Sequence, residues 1–219
     1  MQNNHEPTKI IINGWTFRFK RPQDVNINQQ RVLLLLHGHL GNENVMWILT
    51  NPIPRDFYIL APRAPIELGD NQYSWHNVTP VWPDLDHYQH LIVELLSRVS
   101  AWQADSGLSI ERYDLMGFSQ GAVLAYALAI LHPNKINKVA ALAGFIPQSW
   151  QNKLTVGSLK GINFFISHGK RDQIVPINKG YTAVQLLQNA GAQVTFCEAE
   201  TGHKLSAKCF NELGKFFKS

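Results

Sequence analysis

The sequence predicts an α/β domain in which a mostly parallel central sheet is flanked by helices on both faces, with no large cap domain. Three observations predict it. Short apolar runs alternate with amphipathic stretches from end to end. Several of the apolar runs are continuous, as expected of strands covered on both faces. The hydrophobic share is 45% against 16% charged, which suffices for a substantial core. With 219 residues and no convincing linker or repeat, the chain reads as a single domain, 1–219.

Taken in order, residues 9–20 read as an opening strand or hairpin, and residues 31–36 as a buried strand ending at Gly38. Residues 57–61 form a shorter strand closed by Pro62. Residues 84–103 carry Leu91, Leu95, Val99 and Trp102 at helical spacing. Residues 110–116 are a strand, and 120–131 a nearly all-apolar helix stopped by Pro133. Further strands are expected at 138–143, 162–167 and 192–198. Helices are expected at 177–189, ended by Gly191, and at 205–217. Residues 71–88 are rich in aromatics, prolines and histidines without a period, so they read as an irregular loop. Such a loop is either surface packing or a pocket wall.

Charge and cysteine content exclude several classes. Twenty Lys and Arg face 16 Asp and Glu, a net charge of +4, and the basic residues are scattered apart from pairs such as Lys20-Arg21 and Lys170-Arg171. No nucleic-acid groove is indicated. Cys197 and Cys209 read as two reduced thiols serving as small apolar side chains, with one disulfide as the alternative. The polar start, residues 1–7, has no basic-then-apolar signal, so a soluble cytoplasmic protein is the expectation. The apolar stretch 122–131 is too short to span a bilayer, and no stable membrane insertion is expected.

The sharpest local signal is Gly117-Phe-Ser119-Gln-Gly121 between an apolar strand and an apolar helix. A strand turning directly into a helix presents its serine on a strained tip, and the flanking glycines permit close approach of neighbouring backbone. The helix N-terminus behind it directs free N–H groups and a positive dipole end at the reacting atom. Ser119 is thus the candidate nucleophile.

A serine hydroxyl needs a base. His203 follows Gly202 in the loop after the last expected strand, and Asp172 lies in the loop after strand 162–167. Both fall at C-terminal ends of expected parallel strands, in the chain order serine, acid, histidine. His203 is read as base and Asp172 as the acid that orients it, with Glu198 and Glu200 as fallback acids. His168 reads as a turn-shaping residue. His37-x-His39 lacks a third ligand at metal-site spacing, so no metal is expected. For the oxyanion, one donor is expected from the Gln120 backbone N–H. The other is expected from the glycine-rich loop Leu36-His-Gly-His-Leu-Gly-Asn42, where His39 N–H is chosen with Leu40 next in line.

These residues resemble the phospholipase/carboxylesterase branch of the α/β-hydrolases, which includes acyl-protein thioesterases and small bacterial carboxylesterases. The matching pieces are Leu36-His-Gly-His-Leu-Gly-Asn, Ala61-Pro-Arg-Ala-Pro65, Tyr73-Ser-Trp75, Gly117-Phe-Ser-Gln-Gly121, Ala143-Gly-Phe-Ile-Pro147, His168-Gly-Lys-Arg-Asp-Gln-Ile-Val-Pro176 and Gly202-His-Lys-Leu-Ser-Ala207. The resemblance implies an α/β-hydrolase fold and a cofactor-free serine carboxylesterase or thioesterase, with Ser119, Asp172 and His203 as triad and His39 and Gln120 at the oxyanion positions. The short connection between Gly144 and Ile162 leaves no room for a large cap, which suggests an open pocket. Tyr73, Trp75, Phe145 and Ile146 are its candidate apolar lining. The expected partner is a small ester or an acylated substrate, with a homodimer as the oligomeric alternative to a monomer. The competing readings are acyl-protein thioesterase or lysophospholipase-type activity, a peptidase, and a non-catalytic binding protein on the same scaffold.

Overall fold

A computed structural model describes residues 6–24 and 30–218. The first five residues of the polar start read above lie outside the described residues. The chain runs β1 (Thr8–Ile12), β2 (Trp15–Lys20), β3 (Arg31–Leu36), a 3-10 turn at Val45–Leu49, β4 (Phe57–Pro62), β5 (Ile66–Gly69), β6 (Gln72–Ser74) and α1 (Leu85–Asp105). It continues through β7 (Tyr113–Phe118), α2 (Gln120–Leu131), β8 (Ile136–Leu142), a 3-10 turn at Gln148–Lys153, β9 (Asn163–Gly169), α3 (Ile177–Asn189), β10 (Gln193–Ala199) and α4 (Ala207–Lys218).

Eight strands form one sheet in the order β1-β2-β4-β3-β7-β8-β9-β10, and β5 and β6 make a separate hairpin. The first three strands of that order pair antiparallel and the rest pair parallel. After β3 the chain steps to β4 on one side, then returns to β7 on the other. The strand order therefore reverses between β3 and β7, where Leu36 pairs with Gly117. Crevices at such reversals are where open α/β sheets bind ligands.

Alternation along each strand sorts the core into two layers. Val32, Leu34 and Leu36 of β3 face α1, α2 and α3 with Ile92, Leu95, Ala125, Leu128, Ala183 and Leu187. Leu33 and Leu35 face the opposite layer with Met46, Phe57, Leu213 and Phe217. This explains the unbroken apolar run of β3 and the all-apolar helix α2, which is buried from Gln120 to Ala129. The connection from β8 to β9 holds only the turn at Gln148–Lys153, so no large cap is present.

The structure corrects the reading of two reduced thiols. Cys197 on β10 and Cys209 on α4 form a disulfide, with Cα atoms 5.7 Å apart. Helix α4 folds back onto the strand that precedes it, which brings together residues 12 apart in sequence. Among the described residues no helix is long and apolar enough to cross a membrane.

Candidate active site

Ser119 sits at the junction of β7 and α2 with φ 53° and ψ −116°, a conformation rarely adopted by a non-glycine residue. Surrounding bonds over-determine it. Its N–H donates to Leu142 O at 2.8 Å, and its carbonyl accepts from Ala122 N–H at 3.0 Å. A Cβ on Gly121 would collide with the Leu36 carbonyl oxygen, so this glycine lets α2 sit directly against the end of β3. The strain is held at a half-buried tip where the strand turns into the helix.

Asp172 and His203 follow β9 and β10, neighbouring parallel strands, so both loops emerge at the same sheet edge as the elbow. Asp172 Oδ2 accepts from His203 Nδ1–H at 2.7 Å. Its Oδ1 accepts from the Ile174 and Val175 N–H groups, each at 2.9 Å. Burial alone would raise the Asp172 pKa, but bonds from Val175 N–H, His203 and Ile174 N–H together outweigh it and hold the carboxyl below its ordinary value. The imidazole of His203 lies against the ring of Phe118, the residue before Ser119, with centroids 5.0 Å apart. Ser119 and His203 line the same cavity.

The loop after β3 is built around His37. Its Nδ1–H donates to Gly38 O at 2.7 Å and its Nε2 accepts from Ala64 N–H at 3.1 Å. Burial lowers the pKa of this ring to about 4, only partly opposed by the bond to the Gly38 carbonyl. Leu40 takes φ 64°, and its N–H donates to Tyr73 O at 3.1 Å. Glu43 receives Arg63 through two 2.7 Å bonds, which ties this loop to the end of β4. The Gln120 side chain reaches the end of β6. Its Oε1 accepts from Trp75 N–H at 3.1 Å and its Nε2 donates to Ser74 Oγ at 2.9 Å.

The cavity beside Ser119 has a volume of about 620 Å³. Its apolar wall comes from Leu40, Val45, Met46, Ile48, Leu49, Ile174 and Leu205. Ser119, His203 and His39 line one cavity, with Asp172 buried behind His203 and Gln120 buried at the start of α2, but the four lining candidates have other neighbours. Tyr73 is buried under the Arg63 guanidinium, 4.6 Å from its ring. Trp75 is 2% exposed, packs on His37 and donates from its indole N–H to His37 O. Phe145 packs on Trp82, and Ile146 belongs to the core. Those four side chains fill space behind the site rather than line the cavity. Sequence reading passed over the wall at Val45–Leu49; the apolar run Val-Met-Trp-Ile-Leu just after the glycine loop was its signal. His168 is buried, 3.8 Å from Asp172 Oδ2, and donates from Nε2 to Val175 O at 2.7 Å. Glu198 is engaged by Tyr181 and Lys170, and Glu200 by Lys170 and Arg171. No cluster of three metal-ligating side chains occurs among the described residues.

The family model described as Phospholipase/Carboxylesterase matches residues 23–219. Acyl-protein thioesterase 1 of Aspergillus fumigatus is 28% identical over 180 residues, which cover 71% of this chain and 72% of the relative. An Arabidopsis thaliana protein named "Probable carboxylesterase SOBER1-like" is 32% identical over 206 residues, covering 85% of this chain and 77% of the relative. Among solved structures, the Bacillus cereus carboxylesterase superposes with a TM-score of 0.80 at 22% identity, covering 94% of each chain. The Mesorhizobium loti carboxylesterase gives 0.78 at 19% identity, covering 97% of this chain and 98% of that one. These two show a shared α/β-hydrolase fold, and the match over residues 23–219 makes the chain a member of the phospholipase/carboxylesterase family of hydrolases.

Proposed function

We propose that the protein is a serine carboxylesterase that cleaves carboxylic esters or thioesters through an acyl-enzyme. The observation that carries the reading is the 2.7 Å bond from His203 to the buried Asp172 at the rim of the cavity that Ser119 lines. The carboxylate fixes the imidazole with its proton on Nδ1, which leaves Nε2 free to take the Ser119 proton. The serine oxygen then attacks the acyl carbonyl, and the leaving group departs with the proton held by His203. The same imidazole next activates water, which releases the acid.

The oxyanion of each tetrahedral intermediate is assigned to the backbone N–H groups of Gln120 and His39. Leu40 is set aside as donor because its N–H is already bound to Tyr73 O. The apolar wall at Leu40, Ile48 and Ile174 suits a short or medium acyl chain. The Aspergillus relative is named an acyl-protein thioesterase, and an acylated macromolecule is the second substrate reading; the absence of a cap leaves the rim approachable.

We propose the cytoplasm as its setting. Disulfides are reduced there when accessible, but Cys197 and Cys209 are 5% and 1% exposed, which shields the bond from attacking thiolates. Hydrolysis of p-nitrophenyl butyrate by parent and Ser119→Ala tests the mechanism. Loss of turnover is expected; undiminished turnover would refute it.

A further inference from the structure

We propose that the Cys197–Cys209 disulfide is a positioning device for His203, a covalent clamp that holds the base at the cavity that Ser119 lines. The proposal rests on the reading of His203 as general base. His203 stands six residues from each cysteine, at the midpoint of the loop that the disulfide closes. The bond therefore encloses the whole catalytic loop and little else.

The clamp has a mechanical reason. Strand β10 is the last strand of the sheet and, among the described residues, pairs only with β9. A loop leaving an edge strand has one ladder to anchor it. Its first half is tied back to the loop after β9: Lys170 N–H donates to Ala199 O at 2.8 Å, Arg171 N–H to Thr201 O at 2.9 Å, and Arg171 Nη2 to Glu200 O at 2.6 Å. Its second half, from His203 onward, has a different anchorage. Lys204 N–H bonds within the loop, to Gly202 O, and Ser206 caps the start of α4 by accepting from Cys209 N–H at 3.1 Å. The His203 ring is held by Asp172 and Thr201 Oγ1 donates to Lys204 O at 3.3 Å, but the backbone of this half runs straight into α4 and moves with it. Helix α4 lies on the opposite face of the sheet from α1 to α3 and buries Cys209, Leu213 and Phe217. Apolar packing of that kind resists separation but tolerates small sliding. A covalent link from the first turn of α4 to β10 removes that freedom at the end of the helix nearest the base.

The bond acts chiefly on His203, since Leu205 is the one apolar wall residue that the clamped loop carries. Neither cysteine lines the cavity. Both sulfurs belong to the buried layer with Ala199, Leu205 and Phe118 packed against it. Phe118 in turn carries the His203 ring. Loss of the link should therefore degrade alignment of the imidazole while leaving the acyl wall at Val45–Leu49 in place. Misplacement of a catalytic group by a fraction of an ångström costs rate at fixed binding.

The test compares the parent with Cys197→Ala, Cys209→Ala and the double variant on p-nitrophenyl butyrate. Far-ultraviolet circular dichroism verifies folding at the assay temperature. Each variant should lose about ten- to a hundredfold in kcat with KM nearly unchanged. The double variant should lose no more than either single one, because the first substitution already cuts the clamp. Equal kcat in parent and variants overturns the proposal, as do additive losses, which mark two independent packing defects. Free thiols on both cysteines in the native, unreduced protein also overturn it. Where a variant does not fold, the parent is held in excess dithiothreitol until two free thiols per chain are counted; the reagent delivers two electrons and two protons to give the two thiols and its own cyclic disulfide. The fall in kcat should reverse on reoxidation, and full activity of the reduced protein sinks the clamp. His203→Ala separates the two claims: its full activity removes the base assignment, whereas full activity of the cysteine variants beside an inactive His203→Ala removes only the clamp.

Discussion

Asp172 divides its two oxygens between backbone and base: Oδ1 takes the Ile174 and Val175 N–H groups, and Oδ2 takes His203 Nδ1–H at 2.7 Å. The backbone bonds fix the carboxylate, and the carboxylate fixes the imidazole. Asp172→Asn keeps the volume but puts an amide where an acceptor is needed, so the imidazole turns to the wrong tautomer. Steady-state kinetics should show kcat down by about a thousand- to ten-thousandfold. A loss below tenfold would show that Asp172 is a loop residue without a catalytic task.

The acyl wall gives a prediction on chain length. Ile48 is 75% exposed and Ile174 71% exposed at the cavity, so an acyl chain lying along this wall would bury both. Ile48→Ser should lower kcat/KM for octanoate esters by about tenfold, equivalent to about 1.4 kcal/mol of apolar contact, and leave acetate esters nearly unaffected. A panel of p-nitrophenyl esters reads this directly. A uniform loss across all lengths would place the acyl chain elsewhere.

Gln120 carries a structural as well as a chemical task. Its side chain holds Trp75 N–H and Ser74 Oγ, and Tyr73 beside them holds Leu40 N–H. Gln120→Ala strands the buried Trp75 N–H, with an expected loss of about 1–3 kcal/mol in urea unfolding. It should also lower kcat, since the elbow and the glycine loop lose their common anchor. Unchanged stability would mean that water replaces the amide.

Acid stability follows from His37. Its folded pKa, about 4, lies below the free value of 6.5 because the ring is buried. Between those values the unfolded chain binds the extra proton and the folded chain does not, so stability rises with pH across this window. The contribution is complete above about pH 6.5 and is lost as pH falls through about 4, amounting to about 3 kcal/mol. Asp172, held below its ordinary carboxylate value, acts in the same direction at lower pH. Urea midpoints of parent and His37→Gln at pH 7 and pH 4.5 check it. The parent should lose more stability on acidification than the variant; parallel slopes would contradict the assignment.

Much of the fold was legible because local signals and tertiary structure agree. Strand β3 and helices α2 and α3 lie where their runs begin and end, with Pro133 and Gly191 as stops. Strand β7 starts three residues later than the apolar pattern suggests, at Tyr113, because Gln103 of α1 claims the Ile110 carbonyl. The β5–β6 hairpin escaped because its strands have four and three residues. Its turn signal was present: Asp70 and Asn71 both take positive φ, 49° and 59°, as a tight hairpin turn requires. The placement of Ser119, Asp172 and His203 after neighbouring parallel strands, in that chain order, was legible from the apolar runs that precede them. The cavity wall and the disulfide were not, since each depends on which face of a distant element meets another.

The central claim is that Ser119 becomes a nucleophile through His203 and Asp172. Intact-mass and peptide mapping after treatment with a fluorophosphonate test it most directly. The account predicts one adduct per chain, located on Ser119, with labelling strongly slowed in His203→Ala. An adduct on another residue, or labelling at the parent's rate without the histidine, would contradict it.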